Sequence, residues 1–270
     1  MSNFLEIINS DRPRGGFKTA LFDFDGTLSL IREGWLNVMI PYFVEELKAT
    51  PNCEEIGEVE RVVRDFVEHL TGKQTIYQCF QLQDEVRRRG GEPKEALVYK
   101  HEYLRRLDIR IADRIDGLNS GSITANDLLV PGSIELLEAL KSRGVTSYLA
   151  SGTDLPYVLA ESDALGVTPY FGEHIYAAVD DYKSFSKQMI INKIIEDNAL
   201  AGPELVVIGD GYVEIENGRG SGGYAVGVAS FESDPGRIDE WKRERLIRAG
   251  ADIIVPDFAE TGELMDYLFP

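Results

Sequence analysis

Two cysteines and three histidines in 270 residues leave little material for a disulfide framework or a thiolate or imidazole metal site. Cys53 and Cys79 sit in helical, charged surroundings without CxxC spacing, and His69, His101 and His174 show no ligand spacing, so a disulfide-stapled fold and a zinc centre are both disfavoured. Long apolar runs are missing too. Residues 1–16 contain none of signal-peptide length, and no later stretch reaches the roughly 18 apolar residues of a membrane span. The expectation is a protein of the reducing cytoplasm that meets no membrane. Basic residues are outnumbered, 28 Lys and Arg against 46 Asp and Glu, for a net charge of -18. Such a charge repels nucleic acid and anionic bilayers. The one basic run, Arg87-Arg88-Arg89, reads as a solvated helix end rather than a phosphate clamp, because consecutive residues point around a helix. Internal repeats and low-complexity segments are absent, and nothing in the sequence indicates an oligomeric state.

What is present is an ordinary apolar content, 43%, in a chain long enough for one large domain or two modest ones. Short apolar runs ended by Gly, Asp, Ser or Pro predict strands near 18–23, 145–150, 205–209, 224–229 and 252–255. Helical patterns separate them, such as Ile134, Leu137 and Leu140 after Pro131-Gly132, stopping at Gly144. Strands alternating with helices predict right-handed crossovers and a Rossmann-like parallel sheet, an α/β core. Between residues 31 and 122 the strand signals vanish. Trp35, Met39, Phe43 and Leu47 recur at helical spacing, as do Val59, Val63, Phe66, Val67 and Leu70, then Ile76 and Phe80, then Leu97, Tyr103, Leu104 and Leu107. This predicts four helices, broken near Pro51-Asn52, Thr71-Gly72 and Gly90-Gly91-Glu92-Pro93. The expected division is an α/β core of residues 1–30 and 123–270 with a helical insert of residues 31–122.

Phe22-Asp23-Phe24-Asp25-Gly26-Thr27 follows the apolar run Thr19-Ala20-Leu21. Alternation along a strand carries residues i and i+2 to one side, so Asp23 and Asp25 leave the strand end together while Phe22 and Phe24 turn to the core. Two neighbouring carboxylates repel unless a proton or a cation sits between them, and a hard, oxygen-loving ion such as Mg²⁺ resolves the conflict. The plainer reading is an acidic turn after a strand, since Asp-Gly is a common turn dipeptide. Three further segments weigh against it. Tyr148-Leu149-Ala150-Ser151-Gly152-Thr153 is an apolar run ending in hydroxyls. Lys187 opens the helical pattern Gln188 to Ile195. Val206-Val207-Ile208-Gly209-Asp210-Gly211-Tyr212-Val213-Glu214 ends a strand in Gly-Asp with a second acid four positions on.

These four segments, in this order, resemble motifs I to IV of the haloacid dehalogenase superfamily of phosphohydrolases, with phosphoglycolate phosphatases and β-phosphoglucomutases as the nearest types. The resemblance runs from about residue 17 to the end of the chain. It implies a Mg²⁺-dependent phosphatase acting on a small phosphomonoester, a sugar phosphate or a phosphoglycolate-like acid. Asp23 would be the nucleophile that forms an aspartyl-phosphate, and Asp25 the general acid and base. Ser151, the neighbouring backbone at Gly152 and Lys187 would hold the phosphoryl oxygens. Asp23, Asp210 and the backbone carbonyl of Asp25 would bind the metal, with Glu214 a direct ligand or acting through water; many relatives have Asp at that last position. Lys183 is a rival to Lys187, but the family places its lysine about two dozen residues before the motif IV acid. The helical insert resembles the C1 cap of these enzymes, and Lys73, in the break between two of its helices, becomes a candidate substrate contact; an exposed turn lysine is the plainer reading. Two alternatives stay open: a phosphosugar mutase, which commonly has a histidine shortly after motif I where this chain has none, and a catalytically silent binding protein, against which the intact motif acids argue. Gly218, Gly220, Gly222 and Gly223 precede a strand instead of following one, so they read as a flexible loop and not a dinucleotide fingerprint.

Overall fold

The structure is a computed structural model and describes residues 4–270. The chain divides into two compact units, one made of the chain up to Glu33 together with Gly117–Pro270, the other of Gly34–Asp116. The first boundary falls three residues later than the sequence pattern suggests, for a reason visible in the backbone. After Asp25 the chain turns back, and Leu30 N–H donates to the Leu128 carbonyl at 2.8 Å while Val130 N–H donates to that of Leu28 at 2.9 Å. These bonds keep residues 28–30 with the sheet-containing unit.

Among the described residues that unit is built on seven strands: β1 (Glu6–Ile7), β2 (Thr19–Phe22), β3 (Thr146–Asp154), β4 (Ile175–Ala178), β5 (Leu205–Gly209), β6 (Tyr224–Val228) and β7 (Ile253–Val255). Their order is β1-β7-β6-β5-β2-β3-β4, and every neighbouring pair is parallel except β1 with β7. Five strands lie where the apolar runs predict them. The other two, β1 and β4, are short edge strands that the sequence reading missed, although Ile175-Tyr176-Ala177-Ala178-Val179, ended by Asp180, is itself a short apolar run. β3 also continues past Ser151 to Asp154 through a register shift against β4.

The helical unit contains α1 (Leu36–Lys48), α2 (Ile56–Leu70), α3 (Thr75–Arg88) and most of α4 (Ala96–Ser120). Its interior is the expected stripe on the first three helices, with Met39, Phe43 and Leu47, then Val59, Val63, Phe66 and Val67, then Ile76 all buried. On α4 the buried line is Ala96, Tyr99, Tyr103, Leu104, Leu107 and Ile111, while Leu97 is 37% exposed; at the start of the helix a small residue, not the leucine beside it, faces inward. The triple arginine also departs from expectation. Arg87 and Arg88 are exposed, but Arg89 is buried, with ion pairs of 2.6 Å to both Glu85 and Glu54. At the C-terminal end of α3 it is a structural tie.

In the α/β unit, α5 (Ser133–Ser142), α6 (Leu155–Ala164), α7 (Thr168–Phe171), α8 (Lys187–Asp197), α9 (Tyr212–Gly220), α10 (Glu240–Ala249) and α11 (Thr261–Leu268) cover the sheet. Alternation along β2 sorts them. Leu21, with Tyr148, Ala150 and Val207, packs on Ile190, Ile191 and Ile194 of α8, whereas Phe22 turns to the other face and meets the Phe171 ring of α7 edge-on at 6.0 Å. α9 and α10 pack against α6's opposite face of the sheet, on β5, β6 and β7. Of the glycine cluster, Gly218 and Gly220 lie within α9 and are not loop. A side chain at Gly218 would come within 2.7 Å of Val207, so glycine there sets how closely helix and strand approach.

Candidate active site

β2 lies between β5 and β3, in register, with Phe22 opposite both Ile208 and Leu149. Because all three strands run the same way, their carboxyl ends open on one edge, the place where open α/β sheets bind ligands. Asp23, Ser151 and Asp210 therefore arrive together from positions far apart in the chain. Asp23 N–H continues the ladder to the Ile208 carbonyl at 3.0 Å, which fixes the backbone beneath its carboxylate. The Asp23 side chain accepts from Phe24 N–H at 2.8 Å through Oδ1, leaving Oδ2 turned toward a lysine.

That lysine is Lys187. Ser186 caps α8, its hydroxyl accepting from Met189 N–H, so Lys187 is the first helical residue, and its buried Nζ lies 2.8 Å from both Asp23 Oδ2 and Glu214 Oε2. Burial opposes its charge, but the two carboxylates outweigh that effect and hold it above the ordinary lysine range. Lys183 is exposed in the preceding turn, beside the Tyr182 ring. Glu214, in the first turn of α9, accepts from Gly211 N–H at 2.6 Å with its other oxygen. Burial pushes its carboxyl up, Lys187 pulls it back, and Asp23 and Asp210 add to the rise. The carboxylate packs so tightly over the motif backbone that a side chain at Gly209 would meet it at 2.3 Å.

Asp25 faces a different set. Its Oδ2 accepts from the Thr153 hydroxyl at 2.7 Å and lies 3.5 Å from Ser151 Oγ. Its Oδ1 has no hydrogen-bond partner among the described residues, and the nearest cation is Arg32, whose Nε is 3.9 Å away. Arg32 is itself clamped by Glu161 of α6 in a buried, two-pronged pair with a shortest contact of 2.6 Å. Burial raises Asp25 to about 7, against the opposing pull of Arg32 and with a further push from Glu161. Burial also raises Asp23, although Lys187 pulls it down.

The carboxylate oxygens of Asp23, Asp210 and Glu214 offer one atom each within 4.8 Å of one another. An all-oxygen donor set of this kind suits a hard divalent cation. Glu214 has its oxygens on Lys187 and Gly211 N–H, and Asp23 has its own on Lys187 and Phe24 N–H, so each would share an engaged oxygen with a cation, whereas Asp210 Oδ1 has only a 3.4 Å contact with the Thr27 hydroxyl. The Asp25 carboxylate stands outside this cluster. Gly26, with φ of 74°, makes the turn that separates them; a side chain there would lie 2.3 Å from Asp210 Oδ2.

Five side chains at the site escaped the sequence reading: Thr27, Arg32, Thr153, Glu161 and Lys242. Thr27 Oγ1 accepts from Asp210 N–H at 2.9 Å, and Thr153 is two places beyond the hydroxyl that was singled out. For Arg32 and Glu161 no local pattern announces a pair closed across the fold. Lys73 belongs to the helical unit, exposed on the turn between α2 and α3 with its N–H on the Leu70 carbonyl. It is not among the groups that the α/β unit assembles.

Comparison with known proteins bears on the family and the fold. Residues 17–222 match the haloacid dehalogenase-like hydrolase family. Among solved structures, the chain is similar to a conserved haloacid dehalogenase-like protein of unknown function from Agrobacterium tumefaciens, at 19% identity and a TM-score of 0.59 over 93% of this chain and 98% of that one. It is also similar to a predicted phosphoglycolate phosphatase from Haemophilus somnus, at 17% identity and 0.59 over 93% and 98%. A β-phosphoglucomutase from Clostridium difficile follows at 14% identity and 0.59 over 93% and 97%. A comparison with curated protein sequences found no significant match.

Proposed function

The chain belongs to the haloacid dehalogenase-like hydrolases, and from that premise we propose that it is a Mg²⁺-dependent phosphatase that hydrolyses a small phosphomonoester through an aspartyl-phosphate. The observation that carries this reading is the Asp23–Lys187 contact of 2.8 Å, which puts an ammonium from the start of a helix beside the strand-end carboxylate. A nucleophile that must meet an anionic phosphate needs that neutralisation.

The steps follow from the groups present. Asp23 attacks phosphorus, forming the acyl phosphate bond as the bond to the leaving alkoxide breaks. The Asp25 Oδ1 atom, without a hydrogen-bond partner among the described residues, gives its proton to that oxygen, and Thr153 holds the other oxygen so that the carboxyl presents one face. Water then attacks phosphorus, its proton passing to Asp25, and phosphate leaves with Asp23 restored. Ser151 and Lys187 hold the phosphoryl oxygens through both steps. A divalent cation held by Asp23 and Asp210, with the Asp25 carbonyl and Glu214 in support, would supply charge that lets carboxylate and phosphate approach.

The helical unit is assigned the choice of substrate, because it leaves the core directly after the loop carrying Asp25 and holds Lys73 on an exposed turn. A panel of phosphorylated metabolites assayed with Mg²⁺ for released phosphate tests the reading. Phosphate release from a sugar phosphate or a phosphoglycolate-like acid supports it. Formation of a sugar bisphosphate in place of free phosphate would make the protein a mutase.

A further inference from the structure

Lys242 lies on the third residue of α10, past the last residue matched by the family, yet its ammonium reaches the site. It is buried, and three acceptors surround it: Asp210 Oδ2 at 2.8 Å, Glu232 Oε1 at 2.8 Å and Ser230 Oγ at 3.1 Å. An ammonium has three donors, so its hydrogen bonding is complete. Its position is set from below as well. Asp239 caps α10 by accepting from Lys242 N–H at 3.0 Å, and Asp239 N–H bonds to the Ala229 carbonyl at the end of β6. Ser230 passes the constraint on, donating to the Gly26 carbonyl at 2.5 Å. One lysine thus ties the acid at the end of β5 to the turn that follows Asp25.

We propose that Lys242, anchored by Glu232 and Ser230, is a positioning residue that engages Asp210 Oδ2 and locks it to the Gly26 turn, weakening divalent-cation binding while it fixes the geometry of turnover. The inference rests on the phosphatase reading for its second half only. Asp210 has two oxygens. Oδ2 is occupied by Lys242, and Oδ1, 3.4 Å from the Thr27 hydroxyl, is the atom left for a cation. An ammonium close to a bound dication repels it, and a buried site screens that repulsion less than water does. The three buried cations of the site divide its acids among them: Lys187 takes Asp23 and Glu214, Arg32 takes Glu161 and approaches Asp25, and Lys242 takes Asp210 and Glu232.

Lys242→Met keeps the length and removes the charge. Because it leaves Glu232 without its partner, Lys242→Met/Glu232→Gln is made beside it, so that one of the two folds. Mg²⁺ binding to the substrate-free protein is measured by titration calorimetry, and kcat and KM on an aryl phosphate at saturating Mg²⁺. Both variants are expected to bind Mg²⁺ about tenfold more tightly than wild type, with kcat lowered about tenfold and KM within about threefold. Weaker or unchanged Mg²⁺ binding overturns the proposal, since that is what a structural prop would produce. So does an unchanged kcat in a wild-type background that is active. A wild type that binds Mg²⁺ but releases no phosphate from any substrate defeats the phosphatase reading instead, and the calorimetry still decides whether Lys242 opposes the cation.

Discussion

At the scale of single residues, the site separates two carboxylates of one turn by what surrounds them. Asp23 is buried against Lys187, as the proposed nucleophile must be; Asp23→Asn keeps the shape and is expected to lower turnover at least about a thousandfold with an unchanged circular dichroism spectrum. Lys187→Ala should lower kcat/KM by about a hundredfold or more and Lys183→Ala by less than about twofold, because only the first ammonium touches Asp23; steady-state kinetics of the pair decides it, and the reverse ranking would move the proposed phosphate-binding lysine to position 183. Asp25 is raised to about 7, chiefly by burial. A general acid donates only when protonated, so kcat/KM falls as pH rises through this pKa. A bound cation draws the value down, which puts the midpoint of the alkaline limb at or below about pH 7. A pH profile flat well above neutrality would take Asp25 out of that role.

At the scale of elements, catalytic groups are delivered by strand ends and helix starts whose local chemistry is conventional. Ser186 caps α8 and thereby sets Lys187 at its first turn; Ser186→Ala removes one cap bond and is expected to cost about 0.5–2 kcal/mol, read as a lowered midpoint in urea unfolding. The Arg32–Glu161 pair joins the segment after β2 to α6, with both side chains about 5% exposed or less. Arg32→Met strands a buried carboxylate and should destabilise by about 3–5 kcal/mol, whereas Arg32→Met/Glu161→Leu should recover most of that loss. Equal instability in the single and double variants would show that packing, not charge, is what the pair contributes. Leu97 and Arg89 show the limit of reading one element alone: helical spacing identifies a stripe, but which neighbour of two apolar residues faces inward, and which of three arginines finds acids, depends on the helices alongside.

At the scale of the whole molecule, the division into units predicts a division of labour. Asp23, Asp25, Ser151, Lys187, Asp210 and Glu214 all lie outside Gly34–Asp116. Replacing that segment by a short flexible linker is expected to abolish selectivity among natural phosphomonoesters before it abolishes chemistry, leaving a weakened Mg²⁺-dependent rate on a small aryl phosphate. Circular dichroism establishes that the shortened protein folds. If it then keeps full discrimination on the metabolite panel, substrate choice belongs to the α/β unit.

Much of this protein was legible before any coordinates. Five of the seven strands, the four helices of the insert and the family were carried by local patterns: apolar period, Gly and Pro stops, and carboxylates placed two residues apart at a strand end. These are short-range constraints, set by how side chains alternate along a strand or recur around a helix. The structure also brings together Asp23, Lys187, Asp210 and Glu214, which the family's motif order had named. What the sequence could not show is pairing across the fold. Arg32 meets Glu161 because α6 returns over the segment after β2, and Lys242 reaches Asp210 because the chain after β6 turns back to start α10 beside the site. A buried charge is stable only where an opposite charge meets it. Which charges meet is decided by tertiary geometry, and no local spacing along the chain encodes it.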